Sequence, residues 1–291
     1  MKRLFPALAV ASVVSMAAAA PASAEIFFQD TYVSVRNLWQ DKQPGYAGAV
    51  DEAALNISYA NAYTYGSNFV SLDLENFGHQ DPANIIGYQG QKATSSSMEF
   101  YGVFRTTLSG NALTNSKKFA IGPFSDIGFE VGADICTQDD VFASYKRMVV
   151  AGPQFSIAMP KGFWNVSLHI SKEWNTDAYA PKGATSFDAV PELETAWLYP
   201  FSVGSVPVKF TGFLNVVAPK GRGYPGEAKA GTEILAHPKL MVDVGALMGG
   251  KPGQFDAGVG YEYWYNKFGN QSKNLVGTQQ NAFFVEAGYH F

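Results

Sequence analysis

The sequence has few charged residues and almost no cysteine, and both shortages exclude whole classes of protein. Charged side chains make up 16% of the 291 residues, whereas a soluble globular domain carries about 25%. Cys136 is the only cysteine, so the chain can form neither an intramolecular disulfide nor a cysteine-based zinc cluster. The sequence pI of about 5.6 indicates no basic surface for nucleic acid, which we exclude as a partner.

Long apolar runs are also absent after the first two dozen residues. Residues 1–24 combine a basic start, an apolar stretch and the small-residue sequence Ala22-Ser23-Ala24, which predicts a cleaved secretory signal peptide. An N-terminal transmembrane helix is the alternative. Beyond this segment, no run of about 18 apolar residues could cross a bilayer as a helix. The mature domain is therefore expected to span residues 25–291 and to be exported.

Aromatic residues, glycines and an alternation of apolar and polar positions are what the sequence has instead. Aromatics reach 14% and glycines number 29. Between 127 and 135 the odd positions are apolar and the even ones are Gly, Glu or Asp, and a similar period recurs at 165–171, 208–216 and 283–291. A period of two places apolar residues on one face of a β-strand and polar residues on the other.

About twelve such segments are predicted as strands. An even number of strands of roughly ten residues is typical of an outer-membrane barrel, so we predict an all-β, antiparallel transmembrane β-barrel in the outer membrane of a Gram-negative bacterium. The segments lie near 31–39, 50–60, 67–77, 97–108, 126–136, 144–157, 163–174, 189–199, 206–217, 229–244, 255–266 and 282–291.

The connectors between these segments fall into two length classes. Segments 159–162 and 249–253 contain Gly or Pro and are interpreted as short periplasmic turns. The connector 109–122 is longer than a short-turn rule predicts. The longer polar connectors, interpreted as extracellular loops, lie near 78–96, 175–188, 218–228 and 267–281.

The predicted inner face carries charged residues on almost every strand. A soluble β-sandwich or lipocalin-like barrel is the rival fold, but a dry interior cannot hold so many charges, whereas a water-filled lumen can. The inward charged residues are Arg36, Asp73, Glu75, Glu99, Arg105, Glu130, Asp134, Lys146, Glu173, Glu192, Glu194, Lys209, Glu233, Glu262 and Glu286.

The C-terminus supplies a further indication of an outer-membrane barrel. The chain stops on Phe291, with Tyr289 two residues earlier and apolar residues at alternate positions before it. This pattern is similar to the assembly signal of outer-membrane proteins. We therefore expect the barrel-assembly machinery to bind through Phe291, and outer-membrane lipid to surround the apolar face.

Five stretches of the chain carry a family resemblance. They are Met98-Glu99, the connector 108–114, the Gly-Pro-Phe sequence within 121–126, and the aromatic stretches 65–69 and 261–269. Together they resemble the nucleoside-specific outer-membrane channels, the Tsx-like family. The resemblance implies a monomeric twelve-stranded barrel whose narrow pore, lined by aromatic and ionisable residues, binds nucleosides during passive uptake. It assigns no nucleoside contact to an individual residue here.

Ten inward residues are candidates for binding a small polar solute in the lumen. Carboxylates and a guanidinium can hydrogen-bond ribose hydroxyls, and aromatic faces can stack on a base. Alternatively, the charges form a salt-bridge network that only stiffens the wall, and the tryptophan closes the barrel mouth. The candidates are Asp73, Glu75, Glu99, Tyr101, Arg105, Glu130, Asp134, Glu233, Glu262 and Trp264.

The sequence gives little support for a metal, a cofactor or an enzyme. The histidines, His79, His169, His237 and His290, lack metal-ligand spacing with one another or with the cysteine, so no cofactor is expected. His169 lies two residues from a serine on either side. Such pairs on one strand have poor geometry for nucleophilic catalysis, and that face is expected to point inward rather than towards lipid.

Two functions stay open at this level. The first is passive diffusion of small polar solutes through the lumen, with nucleosides suggested by the resemblance. The second is a non-transporting barrel that serves as a structural or surface-binding protein for phage or another partner. A lipid-modifying enzyme is a remote third. If the lumen conducts, its excess of carboxylates predicts a preference for cations and neutral solutes over anions.

Overall fold

The computed structural model describes residues 24–78, 97–140, 142–178, 180 and 184–291, and within them the chain forms a closed antiparallel barrel of twelve strands. The predicted signal peptide lies almost entirely outside these residues. The first six strands are β1 Ile26–Asp41, β2 Val50–Tyr63, β3 Gly66–Phe77, β4 Ser97–Ser109, β5 Phe124–Gln138 and β6 Tyr145–Ile157. The other six are β7 Phe163–Thr176, β8 Val190–Val203, β9 Val206–Val217, β10 (Glu233–Ala236 with Lys239–Asp243), β11 Phe255–Tyr265 and β12 Gln279–His290.

The last strand pairs with the first and closes the sheet. β12 runs antiparallel to β1 from Tyr32 opposite His290 to Leu38 opposite Phe284. Every other strand pairs with its neighbours along the chain. Closure leaves no row of unpaired backbone groups at a sheet edge. The start of β1 and the end of β12 lie at the same end of the barrel. The predicted all-β antiparallel barrel of about twelve strands is confirmed.

The connections differ at the two ends of the barrel, as the sequence predicted. At the end that holds the start of β1 and the C-terminus, residues 64–65, 158–162 and 204–205 form short turns. The long connector 109–122 lies at this end and contains the helix α1, Gly110–Leu113. A second helix, α2 (Val244–Leu247), lies in the last connector at this end, 244–254. The segment 249–253, predicted as a short turn, is therefore part of a longer connector, because the strand before it ends at Asp243 and a helical turn follows. Among the described residues, no helix is both long and apolar enough to cross a membrane.

The longer connections at the opposite end contain structure that the sequence did not reveal. The predicted loop 175–188 includes the end of β7 and a two-residue strand, Thr185–Ser186, that pairs with Trp174 and Asn175. The 3-10 helix Lys267–Gly269 follows β11. Most of the predicted loop 78–96, including His79, lies outside the described residues.

One predicted strand, 229–244, is shorter than expected and interrupted. It begins at Glu233 and breaks at His237-Pro238 before it continues to Asp243. Pro238 has no backbone N–H to donate to the ladder, which is why a proline inside a strand marks an interruption. The neighbouring Gly212 has a φ of +152°, and a Cβ there would lie 2.4 Å from the carbonyl oxygen of His237. Glycine at 212 therefore allows β9 to follow the break closely.

Alternation along each strand separates an apolar exterior from a polar interior. On β5, the outward Phe129 and Val131 are 53% and 41% exposed, whereas the inward Glu130 and Asp134 are 4% and 5% exposed. This is the division that the period-two pattern predicted. The other exposed apolar residues on the strands include Val35, Leu55, Ile57, Leu74, Met98, Val149, Leu168, Ile170, Phe210, Leu240, Val259, Phe283 and Val285.

A small apolar cluster packs inside the barrel where β12 meets β1. Leu38, Ala282 and Phe284 are buried together, and His237 lies against the Phe284 ring with centroids 4.4 Å apart. A Cβ on Gly260 would lie 2.0 Å from that ring, so the glycine makes room for the aromatic side chain. Phe284 therefore fills part of the interior, and the remaining interior is mostly polar.

Candidate functional site in the barrel lumen

The inner face of β4 carries three of the candidate residues in one row. Glu99, Tyr101 and Arg105 alternate with outward residues, and each contacts polar groups of the neighbouring strands. Arg105 is 4% exposed and Glu99 is 5% exposed. The expected register of β4 is therefore correct. Whether this row binds a solute stays a prediction.

Arg105 connects three strands of the barrel, β4, β5 and β8. Its Nη1 donates to Asp134 Oδ1 on β5 at 2.6 Å, and its Nη2 donates to Glu194 Oε2 on β8 at 2.8 Å. Because β5, β6 and β7 lie between β4 and β8, the side chain reaches across the lumen rather than along the wall. We call this set, Arg105 with Asp134 and Glu194, the Arg105 bridge.

A glycine makes the Arg105 bridge sterically feasible. Gly132 lies opposite Arg105 in the β4–β5 register, and a Cβ there would lie 2.6 Å from the Arg105 Cδ atom. The guanidinium therefore crosses β5 over a position without a side chain. Two guanidinium nitrogens donate to the Glu194 carboxylate, since Nε also donates to it at 3.0 Å. Such a paired contact fixes the orientation of the guanidinium and is stronger than a single hydrogen bond.

Tyr101 belongs to the same cluster. Its hydroxyl donates to Asp134 Oδ2 at 3.0 Å and accepts from Lys146 Nζ at 3.1 Å. The Lys146 ammonium also lies 5.3 Å from the centre of the Tyr101 ring. The Tyr101 hydroxyl is thus already hydrogen-bonded to protein groups. A solute that stacked on the ring would also contact the charged groups around it.

Glu130 accepts hydrogen bonds from three strands at once. Its donors are Thr107 on β4 at 2.7 Å, Ser167 on β7 at 2.8 Å and Gln154 on β6 at 2.5 Å. His169 Nε2 lies 3.0 Å from the same carboxylate. Ser167 and His169 therefore face the lumen, as predicted, and are not directed at lipid as a lipid-hydrolysing pair would need to be.

Glu99 has a separate set of partners near the long-loop end of β4. The Cys136 thiol donates to Glu99 Oε1 at 3.0 Å, and the Gln138 amide donates to the other carboxylate oxygen. Cys136 is a buried free thiol. Glu99 therefore does not share partners with Arg105.

Arg36 gathers the carboxylates of β2 and β3. Its Nη2 lies 3.0 Å from Glu52 and 3.1 Å from Glu75, and its Nη1 lies 3.8 Å from Asp73. The candidates Asp73 and Glu75 thus share one cation, Arg36. Arg36 is among the inward charged residues that alternation predicts, but the sequence does not identify its partners.

The candidates on β10 and β11 lie close to loop residues at the long-loop end. Trp264 Nε1 donates to Glu233 Oε1 at 2.9 Å, and the Lys267 ammonium lies 4.7 Å from the centre of the Trp264 ring. Glu262 accepts from Gln280 at 2.6 Å and contacts His237 Nδ1 at 3.1 Å. The two predicted roles for Trp264, stacking a solute or closing the mouth, remain open.

Two lysines from the long-loop end enter the lumen, and the sequence did not point to either. Lys267 Nζ donates to Asp41 Oδ1 at 2.8 Å, and Lys220 Nζ donates to Glu173 Oε2 at 2.6 Å. Burial by itself lowers the pKa of Lys267, but the carboxylates of Asp41 and Glu262 outweigh it and raise the pKa above its usual value. The ammonium of Lys267 therefore stays charged.

The opposite end of the lumen contains two smaller ion-pair groups and a cavity. Lys239 donates to Glu286 at 2.8 Å, and Lys209 donates to Asp256 at 2.5 Å. The cavity has a volume of about 220 Å³, and polar side chains form much of its wall. Its lining includes Tyr63, Ser67, Thr107, Ser109, Asp126, Gln154 and Ser156. A polar recess therefore opens at the short-turn end of the barrel.

Comparisons with known proteins identify no family for this chain. No family model matches the sequence, and no curated protein matches it. The translocator domain of the autotransporter NalP from Neisseria meningitidis is 10% identical with a TM-score of 0.44, covering 98% of this chain and 96% of that one. The beta domain of the Bordetella autotransporter BrkA is 9% identical with a TM-score of 0.40, covering 90% and 98%. At these values the likeness carries no argument about function.

Proposed function

We propose that this chain is an outer-membrane channel that passes small polar solutes by passive diffusion through a narrow lumen. Carboxylates, arginine and aromatic side chains line that lumen. The observation that carries the proposal is the combination of a closed barrel with an apolar exterior and a charged interior. A channel needs both faces, whereas a structural barrel needs only the first.

The exterior supports a membrane environment. Ile170 on β7 and Phe283 on β12 are 57% and 68% exposed, and similar side chains surround the barrel. A contiguous exposed apolar surface of this kind is unusual for a monomeric soluble protein. Closure also satisfies the backbone groups of every strand within the sheet, which is a requirement inside lipid.

The interior supports a preference for neutral and cationic solutes. Among the described lumen residues, carboxylates outnumber the cations, which are Arg36, Arg105, Lys146, Lys209, Lys220, Lys239 and Lys267. Low-dielectric walls focus the field of this excess negative charge along a narrow passage. Nucleosides are neutral and nucleotides are anionic, so the field favours nucleosides. The resemblance to the Tsx-like family points to the same solute class.

Nucleoside titration of the single-channel current tests the proposed solute. Wild-type current should be blocked by nucleosides, and Glu99→Ala and Arg105→Ala should each weaken that block. A lost charged hydrogen bond costs about 1.5–3 kcal/mol, so the blocking concentration should rise about 10- to 100-fold. Met98→Ala is the matched control, because Met98 lies on the same strand and faces outward. If the channel conducts but millimolar nucleoside does not block its current, the nucleoside specificity is contradicted and the protein is a general channel for small solutes.

A non-transporting barrel is the second candidate, and one observation favours it. The Arg105 bridge crosses the lumen, and Arg105, Glu130 and His169 are at most 4% exposed. Such packing would suit an interior that stiffens the barrel while its loops contact a phage or another partner. Correctly folded protein that carries no current in a planar bilayer would support this second function.

We also propose that the barrel-assembly machinery binds the terminal strand through Phe291. Phe291 is 76% exposed and lies against Tyr289 with ring centroids 4.9 Å apart. Deleting Phe291 should lower the outer-membrane yield several-fold in cells with limiting assembly machinery. The control variant is Phe291→Tyr, which keeps the full chain length and an aromatic C-terminal residue. Its yield should stay near that of wild type. An unchanged yield after the deletion would contradict the role.

A further inference from the structure

Three side chains of metal-ligand type meet on the inner wall between β7 and β8. They are His169, Glu192 and Glu194, and one ligand atom from each lies within 4.8 Å of the others. His169 is directly opposite Glu192 in the strand register, and Glu194 is opposite Ser167. Spacing along the sequence conceals this group because its members come together only through the pairing of two strands.

Two atoms of this group are buried without a hydrogen-bond partner. They are Nδ1 of His169 and Oε2 of Glu192, and the two residues are 2% and 3% exposed. A buried polar atom without a partner is costly, and native proteins rarely leave one unless a water, an ion or a function accounts for it. Both atoms belong to the same three-residue group, so a single bound cation would satisfy both.

The surroundings of His169 prepare Nδ1 to bind a metal. Glu130 already accepts hydrogen bonds from Thr107, Gln154 and Ser167, so its carboxylate acts as an acceptor. His169 Nε2, 3.0 Å away, is then the nitrogen that carries the proton, and Nδ1 keeps its lone pair. A carboxylate that holds the distal N–H of a histidine is the usual support of a metal-ligating imidazole.

The local charge also favours a divalent cation. Glu130, Asp134, Glu192 and Glu194 lie on this part of the wall, and two described cations, Arg105 and Lys146, contact them or their partners. Arg105 binds Glu194 but not Glu192. Glu192 has no cationic partner among the ion pairs of the described residues. A divalent ion bound beside it would compensate its negative charge.

We propose that His169 Nδ1, Glu192 and Glu194 form a binding site for one divalent transition-metal ion of the Zn²⁺ class. One imidazole and two carboxylates form a nitrogen and oxygen donor set that suits zinc and excludes soft, thiolate-preferring ions. Three protein ligands would leave a coordination position open to the lumen. Glu130 would be a positioning residue that fixes the histidine tautomer.

Zinc titration of the folded barrel in detergent tests the site, with Zn²⁺ alone as the probe and calorimetry as the readout. Wild type should bind one equivalent. Glu192→Gln and His169→Ala should each weaken binding more than tenfold, and Glu130→Gln should weaken it about 10- to 100-fold. Glu173→Gln and His237→Gln are matched controls, because both residues are buried in the lumen but lie outside the group; they should bind zinc as wild type does.

The outcomes separate a built site from general binding to lumen carboxylates. Heat-modified gel mobility identifies the variants that fold, and the nearly isosteric Glu192→Gln keeps the test valid if His169→Ala does not. Wild type without one stoichiometric zinc, or equal losses in the control variants, would overturn the proposal. The readout is binding rather than current, so it is independent of whether the barrel conducts.

Discussion

Replacing Arg105 with methionine should lower the free energy of unfolding of the barrel by about 3–5 kcal/mol. The substitution keeps much of the apolar stem but leaves Asp134 and Glu194 without the cation that both contact. Removing one partner from a buried ion pair typically costs this much, because the remaining charge stays buried and unpaired. Denaturant unfolding of the protein in lipid vesicles, followed by tryptophan fluorescence, measures the change.

A matched arginine and a double variant check the cause of that loss. Arg147 on β6 is exposed, so Arg147→Met should change the unfolding free energy by less than about 1 kcal/mol. Adding Glu194→Gln to Arg105→Met should restore part of the lost stability, since neighbouring residues in one network are not additive. Equal effects of Arg105→Met and Arg147→Met would contradict the Arg105 bridge.

Replacing Val259 with arginine should destabilise the barrel in lipid by about 2–4 kcal/mol. Val259 lies near the middle of β11 and is 55% exposed on the outer face. An arginine on the lipid face at the bilayer midplane carries a penalty of this size, and the penalty falls to about 0–1 kcal/mol near the interface. Unfolding in vesicles of known thickness provides the measurement.

Phe255→Arg is the control for depth. Phe255 also faces outward but is the first residue of the same strand, so its substitution should cost much less than Val259→Arg. A water-soluble barrel would show small and similar effects at both positions. Such a result would contradict the claim that lipid surrounds the barrel, but it would not contradict the closed fold.

The strands could be predicted because their cause is local. On β5, the alternation from Ile127 to Ile135 is written in the sequence, and the buried Glu130 and Asp134 follow it. The two-residue period also places Glu99, Tyr101 and Arg105 on one face. Alternation fails at β10, where His237-Pro238 interrupts the ladder; apolar residues continue on both sides, and the proline alone is a weak signal.

The partners of the lumen residues could not be predicted, because they depend on distances across the barrel. Alternation assigns Arg105 and Glu194 to the interior. It gives no reason why these two side chains, from strands that are not neighbours in the sheet, should come within hydrogen-bond distance. Gly132 decides that contact by leaving space for the arginine. Lys220 and Lys267 lie in connectors, where no period indicates whether a side chain turns into the lumen or into solvent.

The current through the purified protein in a planar bilayer tests the central claim most directly. The account predicts discrete single-channel steps of small conductance and, in a salt gradient, a reversal potential of the sign that cation selectivity requires, since carboxylates exceed cations along the lumen. The preference should weaken at high ionic strength because salt screens the field. A folded, inserted barrel that passes no current, or one that selects anions, would contradict the account.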